Sequence, residues 1–118
     1  MAMTKIILSG STDGIPYQSD GADWHTIHTA SSTATDLDEV WLWACNPSGT
    51  DRLAYVGWGS WGTTATQTRY TVAKQDGLFL VIPGLVMKGN ASSPKIVSVY
   101  SDTANAINWV GYVNRHSA

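Results

Sequence analysis

Two histidines and an aspartate near residue 25 are the first candidates for metal chemistry in this sequence. Asp23, His25 and His28 carry side chains of the types that bind Zn²⁺. Alternate residues of a strand share a face, so Asp23 and His25 could meet, whereas His28 would point to the opposite side. Because a tetrahedral site needs three or four converging ligands, we predict no metal site and expect a core or turn histidine instead.

Hydrolytic or acyl-transfer chemistry would need a nucleophile beside an oriented base, or two carboxylates in one cleft. Cys45 ends an apolar stretch without a basic neighbour, and no serine lies in a Gly-x-Ser-x-Gly motif. Asp36, Asp38 and Glu39 are typical of a turn and the exposed start of a strand. No helix is expected after the glycines of residues 57–59, as a phosphate-binding loop would require. The sequence therefore predicts neither an enzyme nor a cofactor.

Tryptophan is the most informative residue type, because six occur in 118 residues. Indole rings fill protein cores, form the centres of protein–protein interfaces, or stack on ligand rings. Most of the tryptophans lie in or beside expected strands, and one tyrosine occupies the polar N-terminal segment. We take six of these residues as candidates for a subunit or capsid interface: Trp41, Trp43, Trp58, Trp61, Trp109 and Tyr17.

Composition and charge restrict the class of protein. Seven basic and nine acidic side chains give a formal net charge of −2, which disfavours nucleic-acid binding, since such binding depends on neutralising phosphates. No apolar run approaches the roughly 20 residues of a membrane-spanning helix, so no membrane partner is expected. The N-terminal residues do not form an export signal, and synthesis in the cytoplasm is expected. The single cysteine excludes a disulfide within the chain.

The expected elements are all strands. Glutamate occurs once, whereas serine, threonine and aromatic residues are abundant, which favours strands over helices. Runs of apolar and β-branched residues end in Gly, Pro, Asn or Ser turns and predict strands at residues 5–9, 24–29, 38–45, 53–58, 67–72, 78–82, 85–88, 96–101 and 106–114. This pattern predicts an all-β protein, an antiparallel, jelly-roll-like β-sandwich of eight or nine short strands.

Several expected strands are apolar on both faces. Along residues 40–45, one face would present Val40, Leu42 and Ala44, and the other Trp41, Trp43 and Cys45. Residues 78–82 are all apolar, and we expect them to be buried on both sides. A sandwich strand in a lone monomer normally has one dry and one wet face. The pattern therefore predicts that another protein chain covers an outer face.

The charge distribution and two of the tryptophans each leave two interpretations open. Residues 1–50 carry one basic and six acidic side chains, and residues 51–118 carry six basic and three acidic ones. This asymmetry is either accidental or a sign of head-to-tail complementarity between copies. Trp58 and Trp61 on the glycine-rich segment 57–62 could instead form a platform for a host glycan, an interpretation that we rank below assembly.

Five segments of the chain resemble, in order, small virion structural proteins of tailed bacteriophages, of the capsid decoration or cement type. They are LSGSTDGIP at residues 8–16, TIHTA at 26–30, DEVWL at 38–42, DGLFLVIPG at 76–84 and GYVNR at 111–115. These segments are turn-and-strand patterns, and they span nearly the whole chain.

The resemblance implies a β-sandwich that binds the outside of an icosahedral head and stabilises contacts between major capsid subunits. It implies a homotrimer on the virion surface, with the major capsid protein as partner and without catalysis or cofactor. Residues 1–23 would form an N-terminal arm, or a first strand plus loop, and residues 24–118 a single β-sandwich domain. The alternative function is a head-fibre or tail-associated carbohydrate-binding module.

Overall fold

The computed structural model describes residues 2–21, 23–61 and 65–117. Within these residues the chain forms nine strands and no helix, so none of its elements is a helix that could cross a membrane. The strands are β1 Ala2–Ile7, β2 Tyr17–Gln18, β3 His25–Thr29, β4 Leu37–Cys45, β5 Arg52–Trp58, β6 Gln67–Val72, β7 Leu78–Lys88, β8 Ile96–Ser101 and β9 Asn108–Ser117. The predicted all-β class is confirmed.

The strands form two antiparallel sheets that pack face to face. In the five-stranded sheet the order is β1, β9, β4, β7, and β2 also pairs with β9; in the four-stranded sheet it is β3, β8, β5, β6. After β2, every connection except that from β5 to β6 crosses between the sheets. This interleaved order is that of a jelly roll. The predicted jelly-roll-like β-sandwich is therefore confirmed.

The core lies between the sheets and follows from the alternation along the central strands. Val40, Leu42 and Ala44 of β4 are fully buried, whereas Trp41 and Trp43 point to the outer side and are half-buried. Buried residues also occupy inward positions of the other central strands, namely Ala54 and Val56 of β5, Val97 and Val99 of β8, and Trp109 and Val113 of β9. Each buried Val or Leu side chain stabilises the fold by about 1.5–3 kcal/mol. The predicted alternation of two apolar faces along β4 is present.

Strand β7 is continuous, although the sequence predicted a break at Pro83 and Gly84. It forms an edge of the five-stranded sheet, where a proline is tolerated because one side of the strand needs no backbone donor. Gly84 is an extra residue in the pairing with β4, since the register shifts there. Its φ of +80° is one that glycine adopts without strain. The predicted break is thus a β-bulge inside one strand.

The prediction that residues 78–82 are buried on both faces was wrong. Val81 and Ile82 are buried, but Leu78 and Leu80 are 60% and 39% exposed. The edge position explains the difference, because none of the nine described strands flanks β7 on its open side. An apolar run alone does not reveal whether its strand lies at the centre or the edge of a sheet.

The N-terminal residues are part of the sandwich. Strand β1 pairs with β9 along its whole length, and the following Leu8 is fully buried. The backbone N–H of Gly10 donates to the carbonyl oxygen of Ile27 at 2.9 Å, which holds the loop against β3. Further along, the buried Ser19 accepts a hydrogen bond from the indole of Trp109 at 2.6 Å. Residues 2–21 therefore contain two strands, β1 and β2, which both pair with β9, and a packed loop between them.

Candidate functional site

Three aromatic rings stack on the outer side of the five-stranded sheet. Trp41 and Trp43 lie two residues apart on β4 and so share a face, and Tyr112 of β9 pairs directly with Trp41. The ring centroids are 6.1–6.3 Å apart, with interplanar angles of 13–28°. We call this group of Trp41, Trp43 and Tyr112 the Trp41 face. It unites two of the six residues that the sequence analysis singled out with a tyrosine that it did not.

Polar groups at one end of the Trp41 face fix its first indole. Glu39 accepts hydrogen bonds from Trp41 Nε1 at 2.6 Å and from Asn114 Nδ2 at 3.0 Å. These two hydrogen bonds lower the pKa of Glu39, which keeps the carboxylate ionised. Lys5 Nζ lies 4.7 Å from the Tyr112 ring centroid, in cation–π geometry. The rings are therefore held in a defined orientation before any partner arrives.

Apolar side chains surround the rest of the Trp41 face. Ile7 of β1 pairs directly with Tyr112 of β9, and Leu80 of β7 pairs directly with Trp43 of β4. Ile7 and Leu80 therefore lie on the outer side of the sheet, as their partners do. The other large apolar side chains that are exposed along β1 and β7 on this side include Met3, Leu78 and Val86. Such a concentration of exposed apolar and aromatic residues is typical of a protein–protein contact.

A second aromatic group covers the outer side of the four-stranded sheet. Trp24, Tyr55 and Tyr100 have ring centroids 5.4–6.3 Å apart, and Arg69 lies 5.4 Å from the Tyr55 ring. We call Trp24, Tyr55 and Tyr100 the Trp24 face. The sequence analysis missed these residues. The sequence pattern could have identified Tyr55 and Tyr100 as outward-facing residues of their strands. Only the pairing of β5 with β8 shows that the two side chains meet.

The structure separates the remaining predicted interface residues. Trp109 is fully buried in the core, where its indole bonds to Ser19. Tyr17 stacks on His25 with ring centroids 3.8 Å apart, and burial raises the pKa of its phenol. Neither side chain belongs to either aromatic face.

Trp58 and Trp61 also lie apart. Trp58 packs partly against the core, whereas Trp61 is 55% exposed and donates from its indole to Thr26 Oγ1 at 2.9 Å. Gly62, at the end of the predicted glycine-rich platform, lies outside the described residues. The described residues thus bring Trp58 and Trp61 to different places, and no ring contact between them is present in that part of the chain.

A groove of about 610 Å³ lies beside Trp58, between the ends of β5 and β7. We call it the Trp58 groove. Its lining comprises Trp58, Gly59, Ser60, Thr66, Val86, Met87, Lys88, Gly89, Asn90 and Lys95. Lys88 and Lys95 are the charged members of this set, so the groove is locally basic in a chain of net charge −2.

A buried charged cluster lies beneath the Trp41 face. Asp38 accepts two hydrogen bonds from Arg115, at 2.7 and 2.9 Å, and one from His28 Nε2 at 2.8 Å. Both Asp38 and His28 have fully buried side chains. The expectation of a core histidine is confirmed at His28, whereas the expectation that Asp38 is exposed was wrong. Arg115, 77 residues away in sequence, supplies the compensating charge.

The protonation of this cluster follows from its hydrogen bonds. His28 Nδ1 accepts from the backbone N–H of Ser9 at 3.2 Å, so the neutral ring carries its proton on Nε2 and donates it to Asp38. Burial lowers the pKa of His28 despite the neighbouring carboxylate. Burial alone would raise the pKa of Asp38, but hydrogen bonds from Arg115 and His28 outweigh it and lower that pKa. An ionised Asp38 therefore faces a neutral His28 at neutral pH.

The residue types Ser9, His28 and Asp38 are those of a hydrolase triad, but their geometry differs from one. Ser9 offers His28 its backbone N–H, while its hydroxyl oxygen accepts a hydrogen bond from Thr29 N at 2.7 Å. The imidazole has no exposed surface that a substrate could reach. This arrangement ties the β1–β2 loop, β3, β4 and β9 together, and does not present an activated nucleophile.

Two other candidates for acid–base or metal chemistry, Asp36 and His25, form structural contacts. Asp36, expected in a turn, is buried and accepts a hydrogen bond from Ser31 Oγ at 2.6 Å. His25 Nε2 lies 2.9 Å from the Gly10 carbonyl oxygen. Among the described residues, no three His, Cys, Asp or Glu side chains are placed to hold a metal ion together.

The sequence matches no protein-family model and no curated protein sequence. A solved structure of a Bacillus endospore appendage, from a family of disulfide-linked pili, is similar in fold, with a TM-score of 0.56 and 12% sequence identity. The similarity covers 98% of this chain and 87% of the appendage chain. At this identity the comparison shows a shared fold over nearly the full length of both chains.

Proposed function

We propose that this chain is a structural subunit of a larger assembly, and specifically a decoration protein that binds the major capsid protein on the outside of a tailed-phage head. The observation that carries the proposal is the Trp41 face. Three half-buried rings are held in a fixed orientation, and exposed aliphatic side chains continue outwards from them along both edge strands. An aromatic centre with few charges is the usual composition of the middle of an interface.

The polar groups beside these rings fit an interface rim. Glu39, Asn114 and Lys5 flank the rings at one end, where they can hydrogen-bond to a partner while remaining partly hydrated. Each face contributes a modest contact. In a trimer, three such contacts would act together, and the effective concentration of each later contact would make the whole attachment strong.

The shared fold with an appendage subunit supports a role in an assembly of many copies. Jelly rolls are also a common architecture of viral capsid domains. One difference from the similar structure bears on how subunits would be joined. These 118 residues contain a single cysteine, Cys45, so they cannot link copies into a chain of successive disulfides. We therefore propose non-covalent attachment through the Trp41 face.

The test is a sedimentation assay in which isolated phage heads lacking this protein are mixed with purified variants. We expect Trp43→Ala to weaken head binding by about 30-fold, since truncating an interface aromatic typically costs about 2 kcal/mol or more. Trp61→Ala is the matched control, because Trp61 is exposed beside β3 on the other sheet and should leave head binding unchanged.

Two measurements complete this test. Thermal unfolding of both variants establishes that neither has lost its fold, and light scattering establishes whether the free protein is the proposed trimer. Full head binding by a folded Trp43→Ala variant would overturn the proposal that the Trp41 face contacts the capsid. Absence of wild-type protein from the head pellet would overturn the decoration role itself.

A further inference from the structure

We infer that the Trp58 groove is a binding site for an acidic saccharide of the uronic acid type. This site goes beyond the proposed attachment to a capsid and does not depend on it. None of the three rings of the Trp41 face lines the groove. Val86 belongs both to the groove lining and to the exposed apolar side chains of β7, so the two surfaces adjoin. A protein fixed through the three rings would keep the rest of the groove available for a glycan.

The groove has a preformed aromatic wall. Trp58 packs in part against the core, and its backbone N–H donates to the Thr66 carbonyl oxygen at 2.9 Å. The next residue, Gly59, donates to the Ile96 carbonyl oxygen at 2.8 Å. These hydrogen bonds fix the backbone that carries Trp58, and the packing against the core leaves the residue partly exposed on the groove. A flat, immobile ring of this kind can pack against the apolar face of a sugar ring at low entropic cost.

The walls beside Trp58 carry neutral hydrogen-bonding groups. Ser60 and Thr66 have hydroxyl oxygens 2.9 Å apart, and Asn90, whose Oδ1 accepts hydrogen bonds from the backbone N–H groups of Ser92 and Ser93 at 3.0 Å, also lines the groove. The groove is open on one side and its volume lies in the range of small-molecule sites. An open groove with an indole, hydroxyls and an amide suits a ligand that has both an apolar ring face and many hydroxyl groups.

The charge of the groove selects among such ligands. Lys88 ends β7 and Lys95 precedes β8, so two separate segments bring lysines to one groove. Neither lysine forms an ion pair with the described residues, and no Asp or Glu belongs to the lining. A carboxylate on the sugar would therefore find two cations that no acidic side chain of the groove neutralises.

The groove chemistry favours a saccharide over an acidic peptide. Two lysines alone would attract any carboxylate. A chain of acidic residues such as oligoglutamate, however, has no flat apolar ring that could stack on Trp58. It also has no hydroxyl groups of its own to form hydrogen bonds with Ser60 and Thr66. We therefore assign the ligand as a carboxylated sugar chain, with the ring on Trp58 and the carboxylate between Lys88 and Lys95.

The experiment is a titration of the intact protein, followed by tryptophan fluorescence and calorimetry. Two uronic acid probes are used, oligogalacturonate and oligoalginate, together with methyl-esterified oligogalacturonate and oligoglutamate as controls. We expect binding of at least one acidic saccharide and weaker binding as the salt concentration rises. The methyl ester, which keeps the ring but loses the charge, should bind at least tenfold more weakly, since hydrogen bonds to charged groups are about twice as strong as neutral ones.

Matched variants locate the site. Lys88→Ala and Lys95→Ala should each weaken binding about tenfold, whereas Lys74→Ala, at an exposed lysine outside the groove, should not. Trp58→Tyr keeps an aromatic ring at the wall of the groove but reduces the area available for stacking. This variant should bind the acidic saccharide more weakly, whereas any residual binding of oligoglutamate should not change.

Three results would overturn the inference: no binding of any acidic saccharide, equal binding of oligoglutamate, or unchanged binding by both lysine variants. Head sedimentation of Lys88→Ala separates this inference from the proposed function. We expect that variant to bind heads normally while losing the saccharide. A variant that keeps the saccharide but no longer binds heads would place the capsid contact at the groove and contradict the independence of the two sites.

Discussion

The two outer faces of the sandwich each carry three half-buried aromatic rings and one cation over a tyrosine, yet they differ in arrangement and surroundings. On the Trp41 face the rings lie within 13–28° of parallel, and exposed aliphatic side chains continue from them. On the Trp24 face two of the three ring pairs meet edge to face, at 62° and 76°. The adjoining β6 is polar there, with the sequence QTRYTV.

This difference shows that the number of rings does not identify an interface. The rings of the Trp24 face pack mainly edge to face against each other and lie beside the polar strand β6. They cover the apolar surface of their own sheet, so no partner is needed to remove it from water. Parallel rings that border exposed Leu, Ile and Met side chains leave a broad apolar surface in water, which a partner would remove. In our proposal the capsid contact therefore lies on the Trp41 face, whereas the rings of the Trp24 face cover their own sheet.

The largest expected effect comes from the charged cluster beneath the Trp41 face. Asp38→Ala would leave Arg115 without its carboxylate and His28 without its acceptor, so we expect a loss of about 3 kcal/mol in the free energy of unfolding. Denaturant titration measures this loss, with Asp76→Ala in an exposed turn as control. A change below 1 kcal/mol would show that the cluster does not anchor the sheet that carries the Trp41 face.

Acidification should act on the same cluster. The folded-state pKa values of both His28 and Asp38 are lowered, so the unfolded chain takes up protons first and stability falls as the pH falls. We expect the melting temperature to decrease from about pH 6.5 downwards, first through His28 and then, near pH 4, through Asp38. His28→Gln should remove the first part of this decrease, whereas His116→Gln should retain it. A melting temperature that stays constant from pH 7 to pH 5 would contradict this account.

Gly84→Ala tests the Trp41 face separately from the Trp24 face. A Cβ at residue 84 would lie 2.7 Å from the Trp41 ring, and the φ of +80° is unfavourable for alanine. We expect a loss of about 1 kcal/mol or more and a shift of the tryptophan fluorescence. Gly77→Ala has nearly the same φ, +78°, but no atom within 4 Å of the added Cβ. If both variants weaken head binding equally, displacement of Trp41 is not the cause.

The smallest expected effect comes from removing the cation that lies over a tyrosine ring on each face. Lys5 lies over Tyr112 and Arg69 lies over Tyr55, both at exposed positions. Lys5→Ala and Arg69→Ala should each lower stability by about 0.5 kcal/mol, the usual size of an exposed cation–π contact. Chemical denaturation measures these losses, and head sedimentation distinguishes the faces, since only Lys5→Ala should reduce affinity. An equal reduction by Arg69→Ala would remove the distinction between them.

The sequence predicts those parts of the fold that depend on local pattern. The alternation along β4 predicts two apolar faces, but it does not indicate whether the Val40 side or the Trp41 side is the core. Trp109 shows the same limit, because an indole on an apolar strand fits a core and an interface equally well. The structure decides by placing β4 and β9 side by side, with Trp109 inward and Tyr112 outward.

The remaining errors concern long-range partners. The exposed edge position of β7 depends on the strand order of the whole sheet and not on its own residues. Asp38 is buried because Arg115 reaches it from 77 residues away. The Trp58 groove likewise combines side chains from β5, β7 and the segment before β8. No local periodicity carries that information.

The most direct measurement of the central claim is oxidative footprinting of the two aromatic faces, with the protein free and bound to phage heads. Mass spectrometry of the peptides reports oxidation of Trp41 and Trp43 separately from that of Trp24. Our account predicts that binding protects Trp41 and Trp43 severalfold while Trp24 and Tyr100 react as in the free protein. Protection of Trp24 and Tyr100 with undiminished oxidation of Trp41 and Trp43 would contradict it.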